Sequence, residues 1–342
     1  REIVAEDAPI TRAAVPVAEA VELFRGRGQT DTARLLAHRG PPTIELYSLK
    51  GRCDYLQGYM VPSTGCLRYF ALQVMPPGFM LQFPHQQTPT LVTPTTPYPK
   101  LFAVFEQAGH WLDRLGIRDV GALNDSIVAN RLPEISLVAE ALHEARLARI
   151  AEEITSSSRR IRVVLIAGPS SSGKTTFSKR LAVQLLASGL RPMPLGLDDY
   201  FVARSQTPRD ASGEYDYETI RALDLDLFNV HLRSLIDGRP TELPRYNFLT
   251  GNREPGPTVT LDRDHLIIVE GIHGLNPELA TSVPPECVFR IYVSALTQLN
   301  LDRHNRVSTS DCRLTRRTVR DAATRGYNAT DTLRRWPVVM RG

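Results

Sequence analysis

The stretch "RVVLIAGPSSSGKTTFSKRL" (residues 162–181) decides the fold of this chain. An apolar run of strand length comes first, and a loop of glycine and serine follows it. The next run carries Phe177, Leu181 and Leu185 at steps of four residues, which predicts one apolar helix face that ends at Gly189. A strand, a glycine-containing loop and a helix in this order predict a phosphate-binding unit in an open α/β fold.

The loop itself matches the pattern G-x-x-x-x-G-K-[ST] at every fixed position. Glycines let the backbone turn so that successive N–H groups point at phosphate oxygens, and the helix N-terminus adds positive potential. The lysine is expected to reach the β- and γ-phosphates, and the threonine hydroxyl to ligate Mg²⁺. We predict a nucleoside triphosphate, taken as ATP, with Mg²⁺ at Gly168, Ser170, Ser171, Ser172, Gly173, Lys174, Thr175 and Thr176.

The composition is that of an ordinary globular chain. Its 342 residues, 42% hydrophobic and 23% charged, allow two or three domains, and a net charge of +4 is too small to indicate nucleic acid by itself. The apolar runs are too short to cross a membrane, and no signal-peptide core stands near the start. The cysteines are scattered, at Cys53, Cys66, Cys287 and Cys312. Their spacing argues against a zinc site and against a disulfide framework, and it favours free thiols in the cytoplasm.

The pattern divides the chain into three parts, residues 1–90, 91–160 and 161–342. The first part is predicted to be a small α+β domain, with strands at "TIELYSL", "CDYLQGYMV" and "RYFALQVM". The second begins in the Pro- and Thr-rich residues 88–100 and continues as a helical linker that ends in "TSSSRR" (155–160). Because the chain starts at Arg1 and ends abruptly in "RRWPVVMRG", we expect a segment of a longer protein, with the third part truncated at its C-terminus.

The third part alternates strands and helices. Further strand candidates after the loop are "PMPLGLDD" (192–199), "HLIIVEG" (265–271) and "FRIYVSA" (289–295). This alternation predicts a parallel sheet with helices on both faces. The expected fold class is therefore α/β, a doubly wound parallel sheet of the P-loop NTPase type.

Carboxylates stand where two of these strands end, at Asp198 and Glu270. Ligands of open α/β sheets bind outside the carboxyl ends of the strands. A carboxylate there can accept a proton from an attacking hydroxyl or hold Mg²⁺ directly or through water. We predict that Asp198, Glu270 and Lys174 converge, and that Asp199 points elsewhere because adjacent strand residues face opposite sides.

A row of arginines occupies one predicted helix face in "CRLTRRTVRDAATRG" (312–326). The spacing i, i+3, i+4 and i+7 groups Arg313, Arg316, Arg317 and Arg320. Four like charges repel unless an anion meets them, and a triphosphate in transfer is such an anion. The alternatives are a solvated basic face or an RNA-contacting patch. Gly326 allows a sharp helix end, as a moving lid needs.

Residues 162–336 resemble the uridine kinase and phosphoribulokinase family of P-loop kinases. The resemblance rests on "GPSSSGKTT", "LDDYF", "EYDYE", "PRYNF", "IVEGIHGLNP" and "RLTRRTVRDAATRG", which occur in the family's order. The first hundred or so residues resemble the domain related to the N-terminal region of threonyl-tRNA synthetase, which some bacteria fuse ahead of such kinases.

The resemblance implies roles for individual residues. It makes Asp198 the base for a sugar 5′-hydroxyl, and it implies catalytic roles for Lys174, Arg316 and Arg320. It places Glu270 at Mg²⁺ and adds Arg313 and Arg317 to the nucleotide site. Implied acceptor-binding residues are Asp198, Tyr200, Asp216, Tyr246 and Arg253. Gly251 stands where uridine kinases carry a histidine that reads the pyrimidine, which argues against uridine itself. Arg253 is expected to favour a more anionic or polar acceptor, and a surface arginine is the alternative.

We therefore predict an enzyme that transfers a phosphoryl group from ATP, with Mg²⁺, to a hydroxyl of a small metabolite. The 5′-hydroxyl of a nucleoside is the favoured acceptor, and a sugar phosphate or another alcohol is the alternative. A different class, an RNA-binding or regulatory protein switched by a nucleotide, is favoured only by the synthetase-like region and the arginine row. The sequence does not decide the oligomeric state.

Overall fold

The computed structural model describes residues 1–56, 58–75, 78–85, 88–94, 98–157, 160–210, 213–324 and 326–341. The predicted Pro-rich boundary and the "TSSSRR" segment therefore lie partly outside the described residues. The backbone contacts divide the chain into two compact units. The first comprises Arg1–Leu132 with Gln298–Arg306, and the second comprises Pro133–Thr297 with Val307–Gly342. This division differs from the three sequence-based parts, because the expected linker is shared between the units.

The first unit is α+β. Its elements in chain order are α1 (Glu2–Ala5), β1 (Thr11–Pro16), α2 (Val17–Gly26), α3 (Thr30–Ala37), β2 (Thr43–Leu49), β3 (Arg52–Tyr55), β4 (Ala71–Met75), β5 (Gly78–Gln82), α4 (Pro99–Arg114) and α5 (Val120–Val128). The strands β1, β2 and β3 form an antiparallel sheet, and β4 pairs with β5 in a separate hairpin. Alternate residues of β2 pack against the apolar faces of α2 and α3, as with Ile44 and Phe24.

The first unit also takes in residues 298–306, which lie far away in the sequence. Asp302 is 1% exposed and accepts hydrogen bonds from the hydroxyls of Tyr55 at 2.5 Å and Thr32 at 3.3 Å. Burial raises the pKa of Asp302, but the donors around it outweigh burial, so the net pKa lies below its ordinary value. A buried carboxylate with this many donors fixes the segment in the first unit.

The second unit contains the remaining elements. In chain order they are α6 (Leu132–Thr155), β6 (Val163–Ala167), α7 (Lys174–Ala187), β7 (Arg191–Gly196), α8 (Leu225–Ile236), β8 (Thr241–Asn247), β9 (Asn252–Val259), β10 (His265–Glu270), β11 (Val288–Tyr292), α9 (Thr309–Thr324) and α10 (Ala329–Arg341). The four predicted core strands are all present. The antiparallel hairpin of β8 and β9 was not predicted.

The central sheet is parallel, and its strand order is β11-β6-β10-β7. The strand β10 therefore lies between β6, which precedes the phosphate loop, and β7, which precedes Asp198. In the register, Glu270 at the end of β10 pairs with Ile166 on one side and Gly196 on the other. The carboxyl ends of three neighbouring strands thus meet at one edge, as the sequence predicts.

Helices cover both faces of this sheet, which confirms the doubly wound class. Alternate strand residues point to opposite faces. Val163, Leu165, Ile267 and Val269 face a core that contains α8. Their neighbours along the strands, including Val164, Ile166 and Ile268, face a second core that contains α6 and α7. Burial on both faces explains why the strands are continuous apolar runs.

Candidate functional site

The loop between β6 and α7 has the backbone that its glycines allow. Gly173, immediately before the first residue of α7, has φ +101°, and Ser171 has φ +63°. A Cβ at Gly168 would lie 2.4 Å from the carbonyl oxygen of Val293, so no side chain fits there without a shift. The loop therefore turns tightly into the N-terminus of a 14-residue helix, where backbone N–H groups favour an anion.

Two side chains of this loop fit a phosphate ligand. The hydroxyl oxygens of Ser171 and Ser172 are buried and have no hydrogen-bond partner among the described residues. Buried hydroxyls in native proteins nearly always have partners, and phosphate oxygens accept such hydrogen bonds. Ser170 is instead used by arginines of α9, and Thr176 is exposed on the first turn of α7.

Lys174, Thr175 and Glu270 come together at the strand ends. The hydroxyl of Thr175 donates to Oε1 of Glu270 at 2.9 Å. Lys174 is 9% exposed, and its Nζ donates to the carbonyl of Pro169 at 3.3 Å. Burial lowers the pKa of Lys174, and the negative charges of Glu270 and Asp198 oppose that shift. The lysine therefore lies within electrostatic reach of both predicted carboxylates.

The two adjacent aspartates after β7 have different surroundings. Asp199 accepts a hydrogen bond from the backbone N–H of Tyr246 at 3.2 Å, so it anchors the β8–β9 hairpin. Asp198 is exposed, and its negative charge acts to raise the pKa of both Lys174 and Glu218. The expected division of the pair is therefore the one found, although a short 3₁₀ turn (Leu197–Tyr200) produces it and not a strand.

Tyr200 is a correction to the predicted acceptor set. It is fully buried, with 0% exposure, in the core formed on the α8 face of the sheet. Its ring packs edge-on against Phe228, and its hydroxyl lies 3.3 Å from Nδ1 of His231. Burial and the charge of Asp199 raise the pKa of Tyr200. The residue thus supports the turn that carries Asp198 and has no exposed surface for an acceptor.

Arg253 is a second correction. It lies on β9, and its Nη1 forms an ion pair of 2.8 Å with Asp224, the N-cap residue of α8. The ion pair neutralises the charge that was expected to meet the acceptor.

Asp216 and Tyr246, the other two predicted acceptor residues, lie in different surroundings from each other. Asp216 is half-buried and close enough to act electrostatically on Glu218, while Tyr246 belongs to an aromatic cluster with Phe201.

Glu218 and His273 are residues of the site that the sequence analysis missed. Burial raises the pKa of Glu218, and Arg317 opposes that shift, while Asp198 and Asp216 reinforce it. Burial also lowers the pKa of His273, which follows β10 and is acted on by Asp216. Glu218 stands two residues after Asp216, and that spacing of carboxylates in "YDYE" was the available signal.

The arginine row lies on α9, as predicted, and reaches the phosphate loop. Nε of Arg313 donates to the carbonyl of Ser170 at 3.0 Å, and Nη1 of Arg317 donates to the hydroxyl of Ser170 at 2.7 Å. Nη2 of Arg316 lies 3.1 Å from where a Cβ at Gly173 would be. Arg320 contacts Asp321 at 3.0 Å, and Asp321 also pairs with Arg317 at 3.2 Å. One buried carboxylate therefore offsets part of the repulsion in the row.

The donor set also fits Mg²⁺ held jointly with phosphate oxygens. Thr175 and Glu270 offer oxygen ligands side by side, the type that Mg²⁺ prefers. Within the described ranges, no group of three or more His, Cys, Asp or Glu side chains could hold a metal ion by itself. Mg²⁺ commonly uses one or two protein ligands together with substrate phosphates and water.

Residues 163–341 match the sequence model of the "Phosphoribulokinase / Uridine kinase family". This match covers more than half of the 342 residues. The chain belongs to the phosphoribulokinase / uridine kinase family. The match begins at residue 163, so the likeness of the N-terminal region to threonyl-tRNA synthetase stays a prediction.

The individual relatives share this part of the chain. A uridine kinase of Schizosaccharomyces pombe is 34% identical over 184 residues, which are 52% of this chain and 36% of the relative. A uridine-cytidine kinase C of Dictyostelium discoideum is 32% identical over 34% of this chain and 24% of its own length. A uridine kinase of Brevibacillus brevis is 28% identical over 52% of this chain and 73% of its own length.

The chain thus spans about a third of the first relative and a quarter of the second. Among solved structures, one described as a "Possible Uridine Kinase" from Bacillus stearothermophilus is 24% identical, with a TM-score of 0.36. That similarity covers 43% of this chain and 79% of the other.

In the part of the chain that the structure describes, none of the helices has the length and apolar content of a membrane span.

Proposed function

We propose that this chain is an ATP-dependent kinase that phosphorylates a hydroxyl group of a small metabolite of the nucleoside or sugar class. The observation that carries the proposal is the convergence of Lys174, Asp198 and Glu270 at three adjacent strand ends, with Thr175 hydrogen-bonded to Glu270. The names of the relatives support an acceptor of nucleoside type. A cytoplasmic location stays a prediction.

The proposed reaction is a direct transfer. The acceptor oxygen forms a bond to the γ-phosphorus, the bond from that phosphorus to the β–γ bridging oxygen breaks, and ADP leaves. Asp198 takes the proton of the acceptor hydroxyl, for which an exposed carboxylate at the strand edge is suited. Lys174 and the α9 arginines neutralise charge on the phosphate oxygens during transfer.

Mg²⁺, when bound, supplies positive charge on the β- and γ-phosphate oxygens. Thr175 and Glu270 are the residues that would hold it, because their oxygens already lie 2.9 Å apart. Glu218 lies within electrostatic reach of Lys174, Asp198 and Arg317, and burial raises its pKa.

The test is a mass-spectrometric screen for added phosphate. The protein is incubated with ATP, Mg²⁺ and a panel of nucleosides and sugar derivatives, and products heavier by one phosphoryl group are sought. A phosphorylated small molecule that disappears in Lys174→Ala supports the proposal. ATP hydrolysis stimulated by tRNA, with no phosphorylated small molecule, would favour the nucleotide-switched RNA-binding class instead.

A further inference from the structure

The space beside Gly251, in the turn between β8 and β9, is filled by Arg204 from an earlier segment of the chain. Gly251 is buried and has φ +72°, a conformation that side chains rarely adopt. A Cβ at this position would lie 2.8 Å from both Cβ and Nε of Arg204 and 2.9 Å from its Cζ. Arg204 therefore occupies the space into which a side chain at position 251 would project.

Arg204 is held firmly in this place. Its backbone N–H donates to the carbonyl of Gly251 at 2.8 Å, and its Nη2 donates to the carbonyl of Phe248 at 2.6 Å. Its Nε donates to the hydroxyl of Tyr217 at 3.3 Å. Two of these bonds use the Nε and Nη2 atoms of the guanidinium, and its Nη1 makes no hydrogen bond within the described residues. A guanidinium with fixed orientation and remaining donors can recognise a planar anion.

The charge of Arg204 is not neutralised within the described part of the chain, where it forms no ion pair. This distinguishes it from Arg253, which pairs with Asp224 at 2.8 Å. The hydrogen bond to Tyr217 raises the pKa of Arg204 above its usual value, so the side chain stays positively charged. This positive charge, partly exposed beside aromatic rings and without a carboxylate partner, is available to an anionic ligand.

The location of Arg204 connects it to the acceptor side of the site. Tyr217, which it contacts, is the residue before Glu218, and Glu218 is acted on by Lys174 and Asp198. Phe248, the other contact, packs edge-on against Tyr246 and Phe201. Arg204 thus contacts both the segment that carries Glu218 and the β8–β9 turn.

We propose that Arg204, packed over Gly251, is a specificity-determining residue that binds an anionic group, a carboxylate or a phosphate, on the acceptor molecule. The inference rests on the proposed kinase function and narrows its acceptor class. Because a guanidinium offers only donors and a positive charge, it favours an anionic alcohol over a neutral nucleoside such as uridine.

The experiment uses γ-labelled ATP and a deproteinised small-molecule extract of cells, separated beforehand by anion exchange into neutral and retained fractions. Each fraction, and uridine alone, is incubated with the whole chain and Mg²⁺. The proposal predicts label transfer to a component of the retained fraction. Transfer only to the neutral fraction or to uridine would overturn it. Transfer in no sample would contradict the proposed kinase function, and this inference with it.

Substitutions then assign the effect to Arg204. Arg204→Met is expected to raise KM for the labelled component of the retained fraction about 10- to 100-fold, which corresponds to the loss of one charge-assisted hydrogen bond, with ATP affinity unchanged. Arg204→Lys keeps the positive charge, and its KM is expected to lie between those of the unaltered chain and Arg204→Met. The control is Arg191→Met, an exposed arginine at the opposite end of β7. An unchanged KM in both Arg204 variants would overturn the proposal, and unaltered ATP affinity shows that the variants are folded.

Discussion

The conformation of Gly173 gives a prediction that can be worked out from the structure. Its φ of +101° places it in the left-handed region, and a Cβ there would lie 3.1 Å from Nη2 of Arg316. In Gly173→Ala the backbone strain costs about 1–2 kcal/mol of folding free energy. The same substitution displaces Arg316 and tilts the loop N–H groups, so one hydrogen bond to phosphate is lost. At about 1.5–3 kcal/mol for a hydrogen bond to a charged group, ATP affinity is expected to fall about 10- to 100-fold.

A matched control lies at the other end of the same helix. Gly189, just after α7, has φ +87°, and nothing lies within 4 Å of the point that a Cβ would occupy there. Gly189→Ala therefore carries similar backbone strain without touching the loop. Both variants are expected to lower the melting temperature by about 2–8 °C. The backbone strain costs ~1–2 kcal/mol of folding free energy, and each kcal/mol lowers the melting temperature by ~2–4 °C. Titration calorimetry with ATP and Mg²⁺ should show weaker binding only in Gly173→Ala. Equal ATP affinity in the two variants would refute the assignment of the loop as the phosphate site.

Further predictions concern the aspartates and the first unit. Asp198→Asn is expected to lower kcat about 10²- to 10⁴-fold with ATP binding retained. In Asp199→Asn the amide oxygen can still accept the hydrogen bond from the backbone N–H of Tyr246, so its kcat, measured by steady-state kinetics, should stay within about tenfold of that of the unaltered chain. Equal losses would remove Asp198 from the role of base. Asp302→Asn weakens the hydrogen bond from Tyr55 and is expected to cost about 1–3 kcal/mol in urea unfolding. Because the folded pKa of Asp302 is depressed, its stabilisation is present above its unfolded pKa of about 3.9 and is lost as pH falls below that value. An acid limb unchanged by the substitution would contradict this account.

The sequence was sufficient for the parts of the site that depend on local pattern. The phosphate loop follows from residues adjacent in the chain, and Glu270 follows from its place at the end of an apolar strand. The arginine row follows from helical spacing. Each of these depends on one element at a time, and the parallel sheet then brings the strand ends to a common edge.

The remaining features depend on contacts between distant segments. Arg204 meets Gly251, and Arg253 pairs with Asp224, through the β8–β9 hairpin that the pattern did not reveal. Tyr200 was misplaced because a 3₁₀ turn sends residues 198 and 200 in different directions. No local signal in residues 298–306 indicates that Asp302 is buried against Tyr55, more than two hundred residues away.

The most direct test of the account is the Mg²⁺ dependence of ATP binding, because the central claim is that the strand ends hold one magnesium-bound triphosphate. Calorimetry with and without Mg²⁺ is compared for the unaltered chain, Thr175→Val and Glu270→Gln. We predict that Mg²⁺ strengthens ATP binding to the unaltered chain and that both substitutions remove most of this gain. An equal gain from Mg²⁺ in all three proteins would contradict it.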